Sequence, residues 1–235
     1  MLALTIAASW FFLLHLLPST PIRPRAVSIL GEGAYSAIFS ILSLLALYWL
    51  VGEFNAAPYD DKLWVAPDWW RWVQAALILF AFILVFGGVL TPNPSSPIGA
   101  DALKDPSLSR TVFAITRHPL MWGIAIWAIT HIISQATWRG FAFFGSIAAT
   151  ALIGSWLQQK RKRGTIPGWA AFEARTSFFP FVAMMQGRTA LDLKAFGWWK
   201  IAIAVVAWAA ILHLHSWLFG FHPLPLGDVV PSLAH

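Results

Sequence analysis

The sequence predicts an all-α integral membrane protein, a bundle of about six transmembrane helices. Only 11% of its 235 residues are charged, whereas soluble domains carry about 25%. The mean hydropathy is +0.67, and apolar runs long enough to cross a bilayer recur along most of the chain. The 15 tryptophans suit a membrane protein, because indole rings collect at the lipid–water interface. The absence of cysteine excludes disulfides, thiolate metal sites and a cysteine nucleophile.

Six apolar runs account for the predicted helices. They are roughly Leu2–Leu17, Tyr35–Val51, Trp72–Leu90, Pro119–Gln135, Arg139–Leu157 and Trp198–Gly220. The first and fourth are short, so each is a candidate for a partial or tilted span, and the fourth could be broken or re-entrant. The first run lacks a basic segment before it and a small-residue cleavage site before Pro18. We therefore expect a retained helix and not a signal peptide.

The connecting segments are rich in proline, which marks the ends of helices. We find no internal repeat and no separate soluble domain, so residues 1–235 are predicted to form one membrane domain. The longest connection, residues 158–197, could hold a short amphipathic helix at the membrane surface.

The distribution of basic residues predicts the orientation in the membrane. Thirteen of the 16 Lys and Arg residues fall in three segments that lie on one side, namely 18–33, 91–118 and 158–200. This places both termini outside the cytoplasm, as in a multi-pass protein of a bacterial inner membrane. The run Lys160–Arg163 then ends the fifth helix at the cytoplasmic face, next to anionic lipid. It accounts for the high pI of 10.1 without nucleic acid as a partner.

The stretch from Ile115 to Gly123 is the most informative motif, since ionisable residues near an apolar helix are costly in lipid. Arg117 and His118 directly precede Pro119, which is tolerated in the first turn of a helix. Amides at a helix start favour an anion, such as a carboxylate or phosphate. Gly123 would allow the close approach of another helix or a ligand. In the alternative interpretation Arg117 reaches lipid headgroups and His118 caps the helix.

The carboxylates give little evidence of catalysis. Glu32, at the start of the second helix, is expected to pair with Arg23, Arg25 or Arg117. Acidic residues between the second and third helices are interpreted as solvated surface. We find no glycine-rich phosphate loop, no Ser-His-Asp order and no zinc-type His/Glu spacing.

The order and spacing of these residues resemble the NnrU family, bacterial inner-membrane proteins named for a link to nitrite and nitric oxide reduction. The resemblance covers roughly residues 5–190. It rests on His15 with Pro18 and Arg23, Gly31-Glu32 before Tyr35, Ala57-Pro58 with Leu63-Trp64, and Thr116-Arg117-His118-Pro119 with Gly123, Trp127 and His131. The pattern is also similar to that of the zeta-carotene isomerases of plants and cyanobacteria, which use haem b with histidine axial ligands. The resemblance therefore implies haem b, with His15 and His131 as the axial pair.

A weaker similarity reaches the membrane isoprenylcysteine and phospholipid methyltransferases. It rests on Arg117-His118-Pro119 with Gly123, and on Trp169, Phe172 and Glu173 before Phe179-Pro180. In those enzymes the Arg-His-Pro segment helps to hold S-adenosylmethionine. They also carry paired glutamates after the next helix, where this chain has Gln158-Gln159. Methyl transfer is therefore the third choice.

Helix geometry gives different histidine pairs. At about 1.5 Å per residue, His131 lies roughly 20 Å from His118 along a straight fourth helix. His15 would then be level with His118, and His131 with His213 or His215. The pair that the resemblance implies, His15 and His131, could meet only if the fourth helix were broken or the first helix were displaced. His213 and His215, two residues apart, face different sides of their helix. A lone histidine can also simply hydrogen bond a neighbouring helix.

Two classes of function follow. The first is a haem-binding membrane protein, serving nitric-oxide-linked metabolism or the isomerisation of an apolar polyene. The second is a membrane protein without enzymatic activity that assists the assembly or regulation of denitrification enzymes. The lipid bilayer is a partner in both.

Overall fold

A computed structural model describes residues 1–94 and 100–225. It confirms an all-α membrane protein, with no strand among those residues. The helices are α1 (Leu2–Leu16), α2 (Ile22–Leu30), α3 (Glu32–Ala56), α4 (Asp68–Leu90), α5 (Pro119–Gln135), α6 (Trp138–Lys162), α7 (Trp169–Arg175), α8 (Val182–Met185), α9 (Leu193–Phe196) and α10 (Trp198–Phe219). In the described ranges, five helical segments are long and apolar enough to cross a membrane: α1 with its following turn, α3, α4, α6 and α10.

The helix α5 has the bounds that the sequence predicts, and it is continuous. With 17 residues it is one residue shorter than the shortest of the five spans, which has 18, and it packs between α4 and α6. The break or re-entrant turn considered for this helix is therefore not seen. Pro119 occupies its first turn, as expected, and Ala136 ends it in a left-handed conformation (φ 50°).

Several helices extend beyond their apolar runs, because charged residues stabilise their ends. Glu32 and Asp68 lie in the first turns of α3 and α4, where a negative charge interacts favourably with the helix dipole. Basic residues occupy the last turn of α6, where positive charge is favoured. The predicted bounds of these helices were too narrow since they followed hydropathy alone.

The helix α2 was not predicted, because Pro18, Pro21 and Pro24 suggested an irregular connection. Pro24 lies in the first turn of α2, where the backbone N–H has no partner within the helix and proline is tolerated. The apolar side chains Ile22, Ile29 and Leu30 remain exposed, by 55%, 82% and 47%. A short helix with such a surface is typical of the membrane interface.

The helices run up and down, so that their ends form two groups. At the end that we call the basic end, Lys162 contacts the Pro94 carbonyl and Lys200 contacts Thr91. At the opposite end, the Trp64 and Trp70 indoles donate to residues 133 and 134 at the end of α5. The basic end holds the ends of α1, α4 and α6 and the starts of α3, α5 and α10, in the alternation that the sequence predicts.

The seam between α4 and α5 is very close. A Cβ added to Gly123 would lie 2.7 Å from the Ala81 carbonyl oxygen and 2.6 Å from a Val85 methyl group. A Cβ on Gly88 would lie 2.9 Å from the Leu120 backbone nitrogen. The predicted close approach at Gly123 is therefore confirmed, and the neighbour is a helix.

Candidate functional site

The segment before α5 is buried and is anchored by Arg117, which is only 4% exposed. Its Nε donates to Thr176 Oγ1 at 3.0 Å, and its Nη1 donates to Gln159 Oε1 at 2.7 Å and to Glu173 Oε1 at 2.9 Å. Its Nη2 donates to the carbonyl oxygens of Glu173 and Thr176 at 2.9 and 3.0 Å. All five N–H groups of the guanidinium are thus used. Among the described residues, the carboxylate that Arg117 contacts is that of Glu173.

Glu173 joins two arginines. Arg163 donates to both of its carboxylate oxygens, at 2.8 and 2.7 Å. The hydrogen bonds from Arg163 lower the pKa of Glu173, burial opposes this, and the charge on Arg117 lowers the pKa further. Burial lowers the pKa of Arg117 to about 10, while Glu173 raises it. Both groups are therefore charged at neutral pH, and they bind the start of α5 to α7.

His118 follows Arg117 and is 4% exposed. Burial lowers the pKa of its imidazole to about 3, the Arg117 charge lowers it further, and a hydrogen bond with Gln159 raises it. The ring is therefore neutral at pH 7. Its Nε2 is buried and has no hydrogen-bond partner among the described residues. Neutral imidazole with an open nitrogen is able to ligate a metal or to accept a hydrogen bond.

An aromatic cluster covers His118. The Phe178 ring lies edge-on to the His118, Trp122 and Trp156 rings, with centroids 5.7, 5.9 and 5.2 Å away. Phe179 extends the cluster, 5.3 Å from Phe178. The basic end thus combines a neutral histidine with an apolar cover.

His131 lies near the other end of α5 and faces α6. Its Nδ1 is 2.7 Å from the Trp127 carbonyl oxygen. A carbonyl only accepts, so Nδ1 carries the proton and Nε2 of the neutral ring carries a lone pair. The ring stacks on Phe144 at 5.1 Å and contacts Trp127 at 5.0 Å. Such a backbone hydrogen bond fixes the orientation of a histidine that ligates a metal through Nε2.

His15, near the end of α1, has the same tautomer. Its Nδ1 lies 2.7 Å from the Phe11 carbonyl oxygen, so its Nε2 also carries the lone pair. The ring contacts Phe11 and Phe39, with centroid distances of 4.3 and 5.8 Å. These contacts belong to α1 and α3, not to α5.

The structure does not place His15 beside His131. His15 contacts Phe39, and His131 stacks on Phe144, which in turn contacts Phe54. Both Phe39 and Phe54 belong to α3, and their 15-residue separation corresponds to about 22 Å along the helix. The two histidines therefore lie toward opposite ends of the bundle, as straight helices predict.

The histidines of α10 lie at the same end as His131. His215 Nδ1 is 2.8 Å from the Phe221 carbonyl oxygen, and its ring is within electrostatic range of His131. His213 lines a groove of about 680 Å³ with Asp68 and Arg71. Within residues 1–94 and 100–225, no three His, Asp or Glu side chains are arranged to hold a metal ion.

Comparison with known proteins gives the family. A sequence model described as NnrU protein matches residues 3–223. The chain belongs to the NnrU family. It is 28% identical over 175 residues to the 15-cis-zeta-carotene isomerase, chloroplastic, of Zea mays, and 26% identical over 182 residues to that of Arabidopsis thaliana.

These alignments cover 72% of the present chain and 47% of each relative. This NnrU chain therefore spans about half the length of the curated relatives that it matches. No solved structure matches it.

The role of Gln159 was missed by sequence reasoning, which noted it only where the methyltransferases have glutamate. The position of Gln159 near the end of an apolar helix could have indicated this role, because a buried side-chain amide needs a hydrogen-bond partner. Gln159 is 1% exposed. Thr176 carried no comparable signal, since its contact with Arg117 depends on how α7 folds back.

Proposed function

We propose that this NnrU protein is a membrane-embedded isomerase of an apolar polyene, and that it uses haem b bound through histidine. Support comes from the two curated relatives, which are named 15-cis-zeta-carotene isomerases, and from a family match over residues 3–223. The observation that carries the proposal is His131, which combines an Nε2 lone pair with aromatic neighbours inside the bundle.

The residues around His131 fit a haem ligand. Histidine is the strong axial donor for haem iron in a chain without cysteine. The Trp127 carbonyl fixes the tautomer, and the Phe144 ring provides an apolar face parallel to the imidazole to within 26°. When bound, haem b would supply the electronic chemistry that eases rotation about a conjugated double bond.

The chain would bind the polyene and exclude water. A cis–trans isomerisation transfers no atom between substrate and protein, so it needs no acid–base pair at the double bond. An apolar polyene offers few polar groups, and its binding would depend on buried apolar area. Phe54, Phe143 and Phe144 form an aromatic group beside His131, with centroids 4.4 to 5.9 Å apart. We infer that this group orients the substrate.

Entry from the lipid is consistent with the outer surface of α3. Leu44 and Tyr48 are 68% and 80% exposed on this helix, and such a surface is in contact with acyl chains in a bilayer. An apolar substrate dissolved in the membrane would reach the bundle without crossing water.

A second histidine that would help to hold the haem has two candidates. The resemblance gives His15, which has the required tautomer but lies toward the basic end. The alternative is His215, which has the same tautomer and lies at the end of α10 that is on the same side of the bundle as His131. Parallel alanine variants distinguish them, because only the variant that removes a histidine holding the haem would change the absorption spectrum of the loaded protein.

The proposed activity is tested by isomerisation in lipid nanodiscs. Purified protein loaded with haem is incubated with 15-cis-zeta-carotene, and the isomers are separated by chromatography. We expect conversion by the wild type and by His213→Ala, and none by His131→Ala. No conversion by the haem-loaded wild type, or equal conversion by both variants, contradicts the proposal.

A role in the assembly or regulation of denitrification enzymes is the other class of function. It predicts no isomerisation and no haem absorption, together with lower nitrite or nitric oxide reductase activity in cells that lack the protein. The proposed location is the bacterial inner membrane with both termini outside the cytoplasm, based on the distribution of Lys and Arg. Phosphatase fusions to each terminus, active only outside the cytoplasm, test that orientation.

A further inference from the structure

Three cations meet at the basic end with one carboxylate. Arg23 of α2 forms an ion pair with Glu32 and lies 5.4 Å from the centre of the Tyr35 ring. Arg161, near the end of α6, interacts with the charges of Arg23 and Glu32, and α6 packs against the turn that joins α1 to α2. Lys162 is in turn within range of Arg161 and Arg23. Since Glu32 balances one charge, two positive charges have no ion-pair partner within residues 1–94 and 100–225.

The cation Lys162 is enclosed by the protein and is 5% exposed. Its Nζ donates to the Pro94 carbonyl at 3.1 Å and lies 5.4 Å from the Trp169 ring centre. Neither group carries a full negative charge. A buried cation without an anion is costly, so the site favours an additional negative group nearby.

The neighbouring Arg161 is half-buried and has free hydrogen-bonding capacity. Its Nε is buried and has no hydrogen-bond partner among the described residues. It forms no ion pair with a carboxylate within residues 1–94 and 100–225. A guanidinium in this state is a donor for an oxyanion, and phosphate suits its geometry.

The surroundings indicate a lipid as the source of that phosphate. Ile22, Ile29 and Leu30 of α2 are exposed next to the charged cluster, where acyl chains would cover them. We propose that Arg161 and Arg23 bind the phosphate of an anionic phospholipid between α2 and α6, with Lys162 adding positive potential from within the bundle.

The test compares two neighbouring charge removals, Arg161→Gln and Lys160→Gln. Lys160 is exposed and lies 5.2 Å from the Trp156 ring centre, and no described contact joins it to Arg23. Both variants change the net charge equally, so a general attraction to anionic membranes changes equally. Binding is measured by native mass spectrometry of detergent-purified protein after titration with phosphatidylglycerol or phosphatidylcholine.

We expect the wild type to retain phosphatidylglycerol in preference to phosphatidylcholine. Arg161→Gln should lower that retention about fivefold, the effect of about 1 kcal/mol, while Lys160→Gln retains it. Arg161→Lys, which keeps the charge, should retain most of the phosphatidylglycerol binding. This variant replaces Arg161→Gln in the comparison if the glutamine variant does not fold. Equal losses in both glutamine variants, no lipid preference, or full displacement by millimolar inorganic phosphate would overturn the proposal. The result does not depend on haem or on isomerase activity.

Discussion

Arg117 Nη1 lies 2.9 Å from Glu173 Oε1, so residues 56 positions apart join the start of α5 to α7. Because the Arg117 side chain is only 5% exposed, water cannot replace these contacts. Arg117→Ala would remove the donor to Gln159 Oε1 and to the Glu173 carbonyl, whereas the Thr176 carbonyl would keep its hydrogen bond from Arg188. We expect a loss of about 3 kcal/mol in the free energy of unfolding, measured by denaturation in mild detergent.

A matched control for this change is Arg175→Ala. Arg175 belongs to the same short helix as Glu173 and is exposed, so its removal should cost less than about 0.5 kcal/mol. Equal losses for the two variants would show that the buried contacts of Arg117 do not anchor α5.

His118 should make stability depend on pH. Burial lowers the pKa of its imidazole from 6.5 to about 3, so between these values the unfolded chain binds a proton that the folded chain does not. The stabilisation is complete above pH 6.5 and is lost as the pH falls, by about 1.4 kcal/mol per unit. The free energy of unfolding, measured at several values between pH 7 and 5, should decrease toward this slope as the pH falls.

The variant His118→Gln should unfold with a smaller slope over the same range, because it removes the group that titrates. His222→Gln changes an exposed histidine and should keep the slope of the wild type. The range stops at pH 5 because Glu173, whose pKa is lowered from 4.5, contributes below it. Identical slopes in all three proteins would be inconsistent with a buried neutral His118.

The seam between α4 and α5 should not tolerate a methyl group at Gly123. The added Cβ would lie 2.7 Å from the Ala81 carbonyl oxygen, which belongs to backbone and cannot rotate away. Gly123→Ala should therefore destabilise the protein by about 1–3 kcal/mol. The same change at Gly154 of α6, where an added Cβ would meet no atom beyond the local helix backbone within 4 Å, should be neutral or slightly stabilising. Thermal unfolding of the two variants in one detergent makes the comparison.

Hydropathy and charge were sufficient to predict the fold class and the alternation of the helices. The bounds of α5 followed from Pro119 at one end and from the end of the apolar run at Gln135. The helix α2 was missed because its prolines occupy positions where helices tolerate them. Hydropathy also underestimated α3, α4 and α6, since charged residues continue these helices beyond the apolar core.

The site was only partly predictable. The motif around Arg117 was recognised as a place for an anion, but the identity of the anion depended on the fold of residues 163–176. Glu173 is far from Arg117 in sequence, and no periodicity relates them. The depths of His15 and His131 did follow from straight helices, because α5 is continuous. Which histidines lie close enough to hold one cofactor together depends on which helices are neighbours. A single sequence does not show which helices pack against each other.

The absorption spectrum of the protein purified after expression with ample haem tests the central claim most directly. We predict a Soret band in the wild type and in the control variant His213→Ala. This control removes a histidine of α10 that lies two residues from the candidate ligand His215. His131→Ala should lose the band, because the proposal assigns the haem to His131 Nε2. A wild type without a Soret band, or a His131→Ala variant with an unchanged one, would contradict haem binding at His131.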